Sequence, residues 1–600
     1  MNTFFRQFKL ILATSPIFIA ALLSGCSSSS SSSGTAVPTA TVQITGTAAA
    51  GAPVVGYVSV RDSSTKPQPV KTNIPIEANG HYSVDVTGLT APYAFLATGT
   101  VGGRTVSLYS AATSADKGKT INITPFTDLI IRNIAATAVD AYLNNPANMA
   151  NLTTAQLDAK RVALTTLLSP ALIAMGVSGS IDLLRATFNA DNTGLDRFMD
   201  VVKVSTTSTT ATITNVLDAA NTLIINTTTG TPTGALSTTN LSASATPLDG
   251  MVATTKAFSV FFATSLPSPT TPALVALFSN SFLEDGRGAP AFLTEITTNS
   301  ATFTGLKFTN VVMDSIDATG NIIQMHFTPV NTAGELLARD QKGGAIGWQM
   351  IKNGSGVWQF DGNQRIARVK VNTTASHHVC NPAFSACNWA STYTTGLSLE
   401  IDNKGLLPIG WVLVTGNGLP NAGVTLTAPA NQTWFNITTT NPNTLCTNCS
   451  GNDWIMSDAE IGLVTPDSVY TITLYDNSGA SGVLATYTDV VPVAPVLNTA
   501  VASLAYPTIT AGMVNLAGTG ATNLPLTWSI PAGLWGDWMS VSVWQTITNQ
   551  NLNVGTDIMK PTGTATLAIT APTNAGTWTS GNYWINAWDQ YGGKVNTNYQ

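Results

Sequence analysis

His377-His378-Val379-Cys380 sets two imidazoles and a thiol within four residues, and Cys446-Thr447-Asn448-Cys449 adds two more thiols. These are the donor types from which a zinc site is assembled. No second histidine cluster supports such a site, since the chain has 4 histidines and the others are His81, beside a turn, and His326, within an apparent strand. No metal is therefore expected. A redox role for Cys-x-x-Cys needs a thioredoxin-like context that the flanking sequence does not offer. Cys-x-x-Cys-His is absent, which excludes the usual covalent haem, and no cofactor is expected. Glu284-Asp285 and Asp314 are acids that would serve as paired carboxylates in a pocket, but with 32 acidic residues such neighbours arise freely. There is no Gly-x-Ser-x-Gly elbow, His-Glu-x-x-His, Walker loop or dinucleotide glycine fingerprint. No catalytic residue is assigned, and the chain is not expected to be an enzyme.

Tryptophan is more informative. All 13 lie between Trp348 and Trp588, seven of them from Trp528 onward. In Trp538-Met539-Ser540-Val541-Ser542-Val543-Trp544 the odd positions are apolar, while the even positions carry Trp, Ser, Ser and Trp. In a strand these are opposite faces. Trp584 and Trp588 likewise share a face with Asn586 and Gln590. Aromatic rings beside amides suit stacking on sugar rings with hydrogen bonds to hydroxyls, so Trp538, Trp544, Trp584, Asn586 and Trp588 are the candidate ligand-binding residues. The competing arrangement is a face covered by a neighbouring domain or loop, or a parity flipped at a bulge.

The elements that must position these residues follow from composition. The chain has 600 residues, 44% hydrophobic and only 10% charged, with a net charge of −6. Typical chains carry about 25% charged residues. Nucleic-acid binding, which draws on many Lys and Arg, is excluded. Polarity comes instead from Thr, Ser, Asn and Gly, and β-branched Thr favours strands. Length implies about four domains.

Arg6 and Lys9 precede an apolar run from Leu10 to Leu23. At about 14 residues it is too short to span a bilayer, which needs about 20, and residues 1–25 have a signal-peptide layout. Leu23-Ser24-Gly25-Cys26 closely resembles the lipobox of bacterial lipoproteins. The resemblance implies cleavage before Cys26, a diacylglyceryl thioether on its sulfur and an acyl chain on its new amino group. Ser27 through Ser33 is an unbroken serine run, so residues 26–40 read as an acylated tether. By the sorting pattern of such lipoproteins, Ser27 after the cysteine implies the outer membrane. Without Arg6 and Lys9 the mature chain has 24 basic and 32 acidic residues, so the acyl group, not charge, must hold it at anionic lipid. With Cys26 acylated, an even number of cysteines remains in an exported chain. Disulfides Cys380 with Cys387 and Cys446 with Cys449 are expected, although three pairings are possible.

Residues 41–123 read as short alternating strands, with Asn79-Gly80 as a hairpin turn into Tyr82–Val86. A Gly51-Ala52-Pro53 opening, a valine-rich strand and Asn-Gly-His-Tyr-Ser-Val resemble the transthyretin-like or carboxypeptidase-regulatory-like β-sandwich, a module without catalytic residues. Residues 124–204 read as helical, with Thr124-Pro125 as a start and Thr153-Thr154-Ala155-Gln156 as a capping box. Residues 205–247 read as a Thr/Ser-rich linker with one strand pair in Thr210–Ile225. In residues 248–395, helices at Val252–Phe262 and Pro272–Phe282 precede strands at Ile346–Ile351, turned by Asn353-Gly354 into Val357–Phe360, and at Arg365–Val371. This order resembles an NTF2-like α+β cone. Residues 396–495 and 496–600 are all strand and turn. Tyr470-Thr-Ile-Thr-Leu-Tyr475-Asp476 repeats in Tyr583-Trp-Ile-Asn-Ala-Trp588-Asp589, and each resembles a penultimate strand of an immunoglobulin-like sandwich, the second domain being Trp-rich.

The expected fold class is thus mainly β and multidomain, with sandwiches, a helical segment and an α+β domain. The expected function is that of an exported, outer-membrane-anchored lipoprotein, facing periplasm or cell surface. It would act as a non-catalytic binding or adhesion module for a glycan or an envelope protein, with the membrane met through its acyl anchor. The alternatives are a cell-envelope enzyme with its pocket in residues 248–374, and a structural component of a surface assembly.

Overall fold

Alternating apolar and polar residues dominate the chain, and it folds as mainly β, in several separate sheets with a sandwich-like, multidomain architecture. The computed structural model describes residues 41–600 except 103, 208, 243–244, 299–302, 333–336, 338–345, 381–390, 406, 430–431, 444–450, 478–481, 547–549, 559, 574–575 and 590. Cys26, Cys387, Cys446, Cys449 and Gln590 lie outside the described residues. No helix among the described residues is long and apolar enough to cross a membrane.

The first sandwich sets the antiparallel pair Gln43–Thr47 and His81–Asp85 against a four-stranded sheet in the order Lys71–Pro75, Val55–Asp62, Tyr93–Val101, Arg104–Ala112. Ile44, Val58, Val60, Tyr82, Val84 and Phe95 fill the space between. Asn79-Gly80 is a turn, with Gly80 at φ +84°, but it closes no hairpin. It carries the chain from one sheet to the other, because its flanking strands pair with different partners.

Helix Pro125–Ala135 starts where Thr124 Oγ1 accepts from the Thr127 amide at 3.2 Å. Helix Thr154–Ala174 starts where Thr153 Oγ1 accepts from Gln156 N at 3.2 Å and Gln156 Oε1 accepts from Thr153 N at 2.9 Å. Each satisfies amides that have no partner inside the helix. A third helix, Gly194–Val201, ends before 204 because the chain enters a four-stranded meander: Val202–Thr206, Thr210–Asn215, Asp218–Asn226 and Pro232–Gly234. The segment expected to be a linker is therefore sheet. Ala211, Ile213, Leu223 and Ile225 alternate into the core while Thr210, Thr212, Thr214 and Ile224 take the other face.

A five-stranded sheet follows, in the order Phe278–Leu283, Trp358–Gly362, Ile346–Lys352, Ile322–Val330, Lys307–Ile316. Helices Ala245–Phe262 and Ala289–Thr298 accompany it. The helix expected over Pro272–Phe282 stops at Val275, and Phe278–Leu283 is a strand parallel to Trp358–Gly362. Phe278 and Phe282 have helical spacing, but as a strand both rings reach an aromatic cluster that includes Phe258, Phe292, Phe360 and Trp348. Tertiary burial overrides local propensity there.

A seven-stranded sheet completes the fold, in the order Asp453–Ile455, Tyr393–Asp402, Arg368–Val379, Lys594–Tyr599, Ser580–Trp588, Trp535–Gln545, Gln550–Asp557. The first three strands pack one face on the sheet Asn436–Ile437, Val424–Thr427, Trp411–Thr415, Ser468–Tyr475, Val483–Val491. The last three pack the same face on Thr508–Ala511, Thr522–Ser529, Thr562–Ile569. Two sandwiches thus share one sheet, joined where Arg368–Val379 runs parallel to Lys594–Tyr599. The expected boundary at 395/396 falls inside a strand, Tyr393–Asp402, and that strand pairs with Arg368–Val379. The two repeat segments occupy corresponding places. Tyr475 pairs across from Trp411 and Trp588 across from Trp535. Tyr470 OH donates to Asn417 O at 2.7 Å and Tyr583 OH to Val514 O at 2.8 Å.

Candidate functional site

Register decides where the tryptophans of the shared sheet point. Met539, Val541 and Val543 on the Trp535–Gln545 strand, and Tyr583, Ile585 and Ala587 on its neighbour, are buried in the second sandwich core. The alternate residues lie on the opposite face. There Ser540 pairs with Trp584, Ser542 with Asn582 and Trp544 with Ser580. On the other side of the same strand Trp538 pairs with Asp557, Ser542 with Asn553 and Trp544 with Asn551. The face expected to carry Trp, Ser and Asn therefore carries them, with Asn551, Asn553 and Asp557 of the edge strand beside them.

Exposure divides this face. Trp538 and Trp544 are 37% and 38% exposed, and Asn551, Asn553 and Asp557 are exposed. Trp584 and Asn586 are half-buried, and Trp588 is buried. Trp588 thus has no surface for a ligand: beyond the bulge between Gly536 and Met539 it lies opposite Trp535. Farther across the sheet the face stays polar but closes off. Asn596 Nδ2 donates to Ser376 Oγ at 2.9 Å, and His378 Nε2 lies 3.0 Å from Thr394 Oγ1, all within buried surroundings. Burial pushes the His378 imidazole down to about 4, so it is neutral at pH 7. His377 stacks on Tyr393 at 4.6 Å. Neither histidine belongs to a metal cluster among the described residues.

A side-chain carbon added at Gly555 would stand 2.2 Å from Trp538 Cζ2, so the indole packs over the bare backbone of the edge strand while the residue stays 37% exposed. Gly555→Ala is expected to lift the ring, shift the tryptophan emission and cost about 1–3 kcal/mol in chemical denaturation. Sequence reasoning missed Gly555, Asn551 and Asn553. The alternation of Asn551 and Asn553 with Leu552 and Val554 was the available signal.

The carboxylates considered for a pocket in residues 248–374 are not brought together. Glu284 and Asp285 follow the first strand of the five-stranded sheet, buried and tied to Asn363: its amide donates to Glu284 Oε2 at 3.2 Å and its Nδ2 to Asp285 Oδ1 at 2.8 Å. Asp314 stands on the opposite edge strand, at a bulge between Met313 and Ser315. It accepts from His326 Nδ1 and pairs with Arg104 Nη1 at 2.9 Å. Arg104 Nη2 lies 3.0 Å from His326 Nε2. Both ring nitrogens are therefore occupied, Nε2 as the acceptor, and His326 has no lone pair left for a general base. The inner face of the sheet is filled by rings, with Phe258 stacked on Phe308 at 4.5 Å and Trp348 edge-on to Phe308 and Phe327.

No family model matches the chain, and no curated protein matches it.

Proposed function

We propose that this chain is an exported lipoprotein, acylated at Cys26, whose second sandwich binds a neutral, hydroxyl-rich ligand, a glycan, on the face carrying Trp538 and Trp544. The observation that supports the reading most is the exposed strip itself: two indoles on one strand, flanked by Ser542, Asn551 and Asn553. Aromatic faces give stacking area and the amides give directional hydrogen bonds. Among the described residues of segments 538–544 and Gln550–Asp557 that share this face, Asp557 is the one ionisable group, so affinity should change little between low and high ionic strength. Against a glycan panel, Trp538→Ala and Trp544→Ala are each expected to weaken binding about tenfold, equivalent to about 1.4 kcal/mol. Binding unchanged by both substitutions, or no glycan bound by the intact protein, would overturn the sugar reading.

The anchor belongs to the same proposal, and disulfides Cys380 with Cys387 and Cys446 with Cys449 fit an oxidising compartment. Several acyl chains, each contributing about 0.8 kcal/mol per buried CH₂, hold a protein to a membrane permanently. Cys26→Ala is expected to abolish acyl labelling and move the protein from the membrane to the soluble fraction; retention in membranes would refute the anchor.

A further inference from the structure

Strict alternation along the Trp535–Gln545 strand would put Trp535 in the core with Met539, Val541 and Val543. Trp535 is 37% exposed, however, matching Trp538 at 37% and Trp544 at 38%. The bulge is the reason. From Gly536 to Met539 the strand advances three residues while its neighbour advances two, from Ala587 to Ile585. One extra residue reverses the parity, so Trp535 stands opposite Trp588, on the face that Trp584 and Asn586 share. Three exposed indoles therefore follow one another along one face of one strand.

This row is longer than a single sugar. Trp538 and Trp544 are six residues apart, about 20 Å along an extended strand. The Trp538 indole packs over Gly555, whose partner is Ser540. From Gly555 to Asn551, which pairs with Trp544, is four residues, about 13 Å. Trp535 prolongs the row at its other end. Between Trp538 and Trp544 the side chains are short, Ser540 buried and Ser542 half-buried, with Asn551 and Asn553 exposed alongside. Asp557, opposite Trp538, repels an acidic chain. Resting on the glycan reading above, we infer that the ligand is a neutral, straight, β-linked polysaccharide laid along the strand over Trp535, Trp538 and Trp544. Separated platforms reward a ligand that reaches all of them, because each further contact is made within one complex. A β-linked chain of the cellulose or chitin kind runs straight, with flat ring faces for the indoles and hydroxyls at its edges for the asparagines. An α-linked chain of the amylose kind coils and leaves the row.

The test is calorimetry of the full chain at neutral pH with cellohexaose, chitohexaose, their disaccharides and maltohexaose. At least one of the two β-linked hexasaccharides is expected to bind about a hundredfold more tightly than its own disaccharide, and maltohexaose no better than cellobiose. This length dependence is read on the unmodified chain, so it requires no variant to fold. Trp535→Ala is expected to weaken the hexasaccharide about fivefold. If hexasaccharide and disaccharide bind equally while Trp538→Ala still weakens both, the extended chain is overturned and the glycan reading stands. If no glycan binds, both fall. Tighter binding of maltohexaose, unchanged affinity in Trp535→Ala, or a dimer of the full chain that Trp535→Ala dissociates would each overturn the inference.

Discussion

Replacing Trp348 with alanine is expected to cost about 3–5 kcal/mol, the range for removing a large aromatic from a packed core. Trp348 is 2% exposed. Its ring meets Phe282, Phe292, Phe308, Phe327 and Phe360 at centroid distances of 5.1–5.6 Å, all edge-on. Edge-to-face pairs add about 0.5–1.5 kcal/mol each beyond burial, so the hole left behind would lose contacts on several sides at once. These rings come from two strands and a helix that precede Trp348 and two strands that bracket it, and one indole therefore holds five elements in register. In a multidomain chain the loss would show as an early step in thermal unfolding rather than a uniform shift. Calorimetry with near-UV circular dichroism would follow it; a single transition within about 1 kcal/mol of wild type would contradict this account.

The second large effect is on pH. Burial raises the Asp196 carboxyl to about 6 from 3.8, and burial also raises those of Asp200 and Glu284. Asp196 is fully buried; its Oδ2 accepts from Asn192 N at 2.8 Å, while its Oδ1 has no hydrogen-bond partner. A carboxyl whose pKa is higher folded than unfolded binds its proton more tightly in the folded state. Its contribution is present below the unfolded value and lost as pH rises through the folded one. For Asp196 the window runs from about pH 4 to about pH 6, and a shift of that size corresponds to about 3 kcal/mol. Asp317 works the other way: the Thr319 hydroxyl and backbone amides hold it down to about 2, so its contribution is lost only as pH falls below about 4. Burial of the His378 imidazole, which pushes it down to about 4, acts in the opposite direction between about pH 4 and pH 6.5, so the Asp196 contribution is read from the difference between variant and wild type rather than from the overall profile. Asp196→Asn keeps an acceptor for Asn192 and removes the charge, so it is expected to match wild type at pH 4 and exceed it at pH 8 by about 2–3 kcal/mol. Chemical denaturation at the two pH values checks this; a variant less stable than wild type at pH 8 would show that the ionised carboxylate is well accommodated.

Much of the local structure could be read from residue types. Thr124-Pro125 and Thr153–Gln156 start helices because a hydroxyl beside free amides is a short-range device needing no distant partner. Asn353-Gly354 closes its hairpin, with Lys352 opposite Trp358, for the same reason. The parity of Trp538–Trp544 was legible because a strand has only two faces, and the apolar set must take the buried one. Asn79-Gly80 marks a turn equally well, yet its strands belong to different sheets, since a turn sets only a change of direction. Phe278 and Phe282 fit a helix by spacing, and only the aromatic cluster made that segment a strand.

What the sequence by itself determined, then, is the mainly β character, the capped helices, the turns and which face of each Trp-bearing strand is polar, because all of these depend on neighbours a few residues apart. Tertiary structure alone decided how exposed each polar-face residue is. It left Trp538 and Trp544 open beside the edge strand and buried Trp588 opposite Trp535. It made one sheet serve two sandwiches, and it brought Arg104, Asp314 and His326, as many as 222 residues apart, into one charged cluster. Burial and charge balance are sums over everything that surrounds a group in space, and chain order carries no record of that sum until the chain is folded.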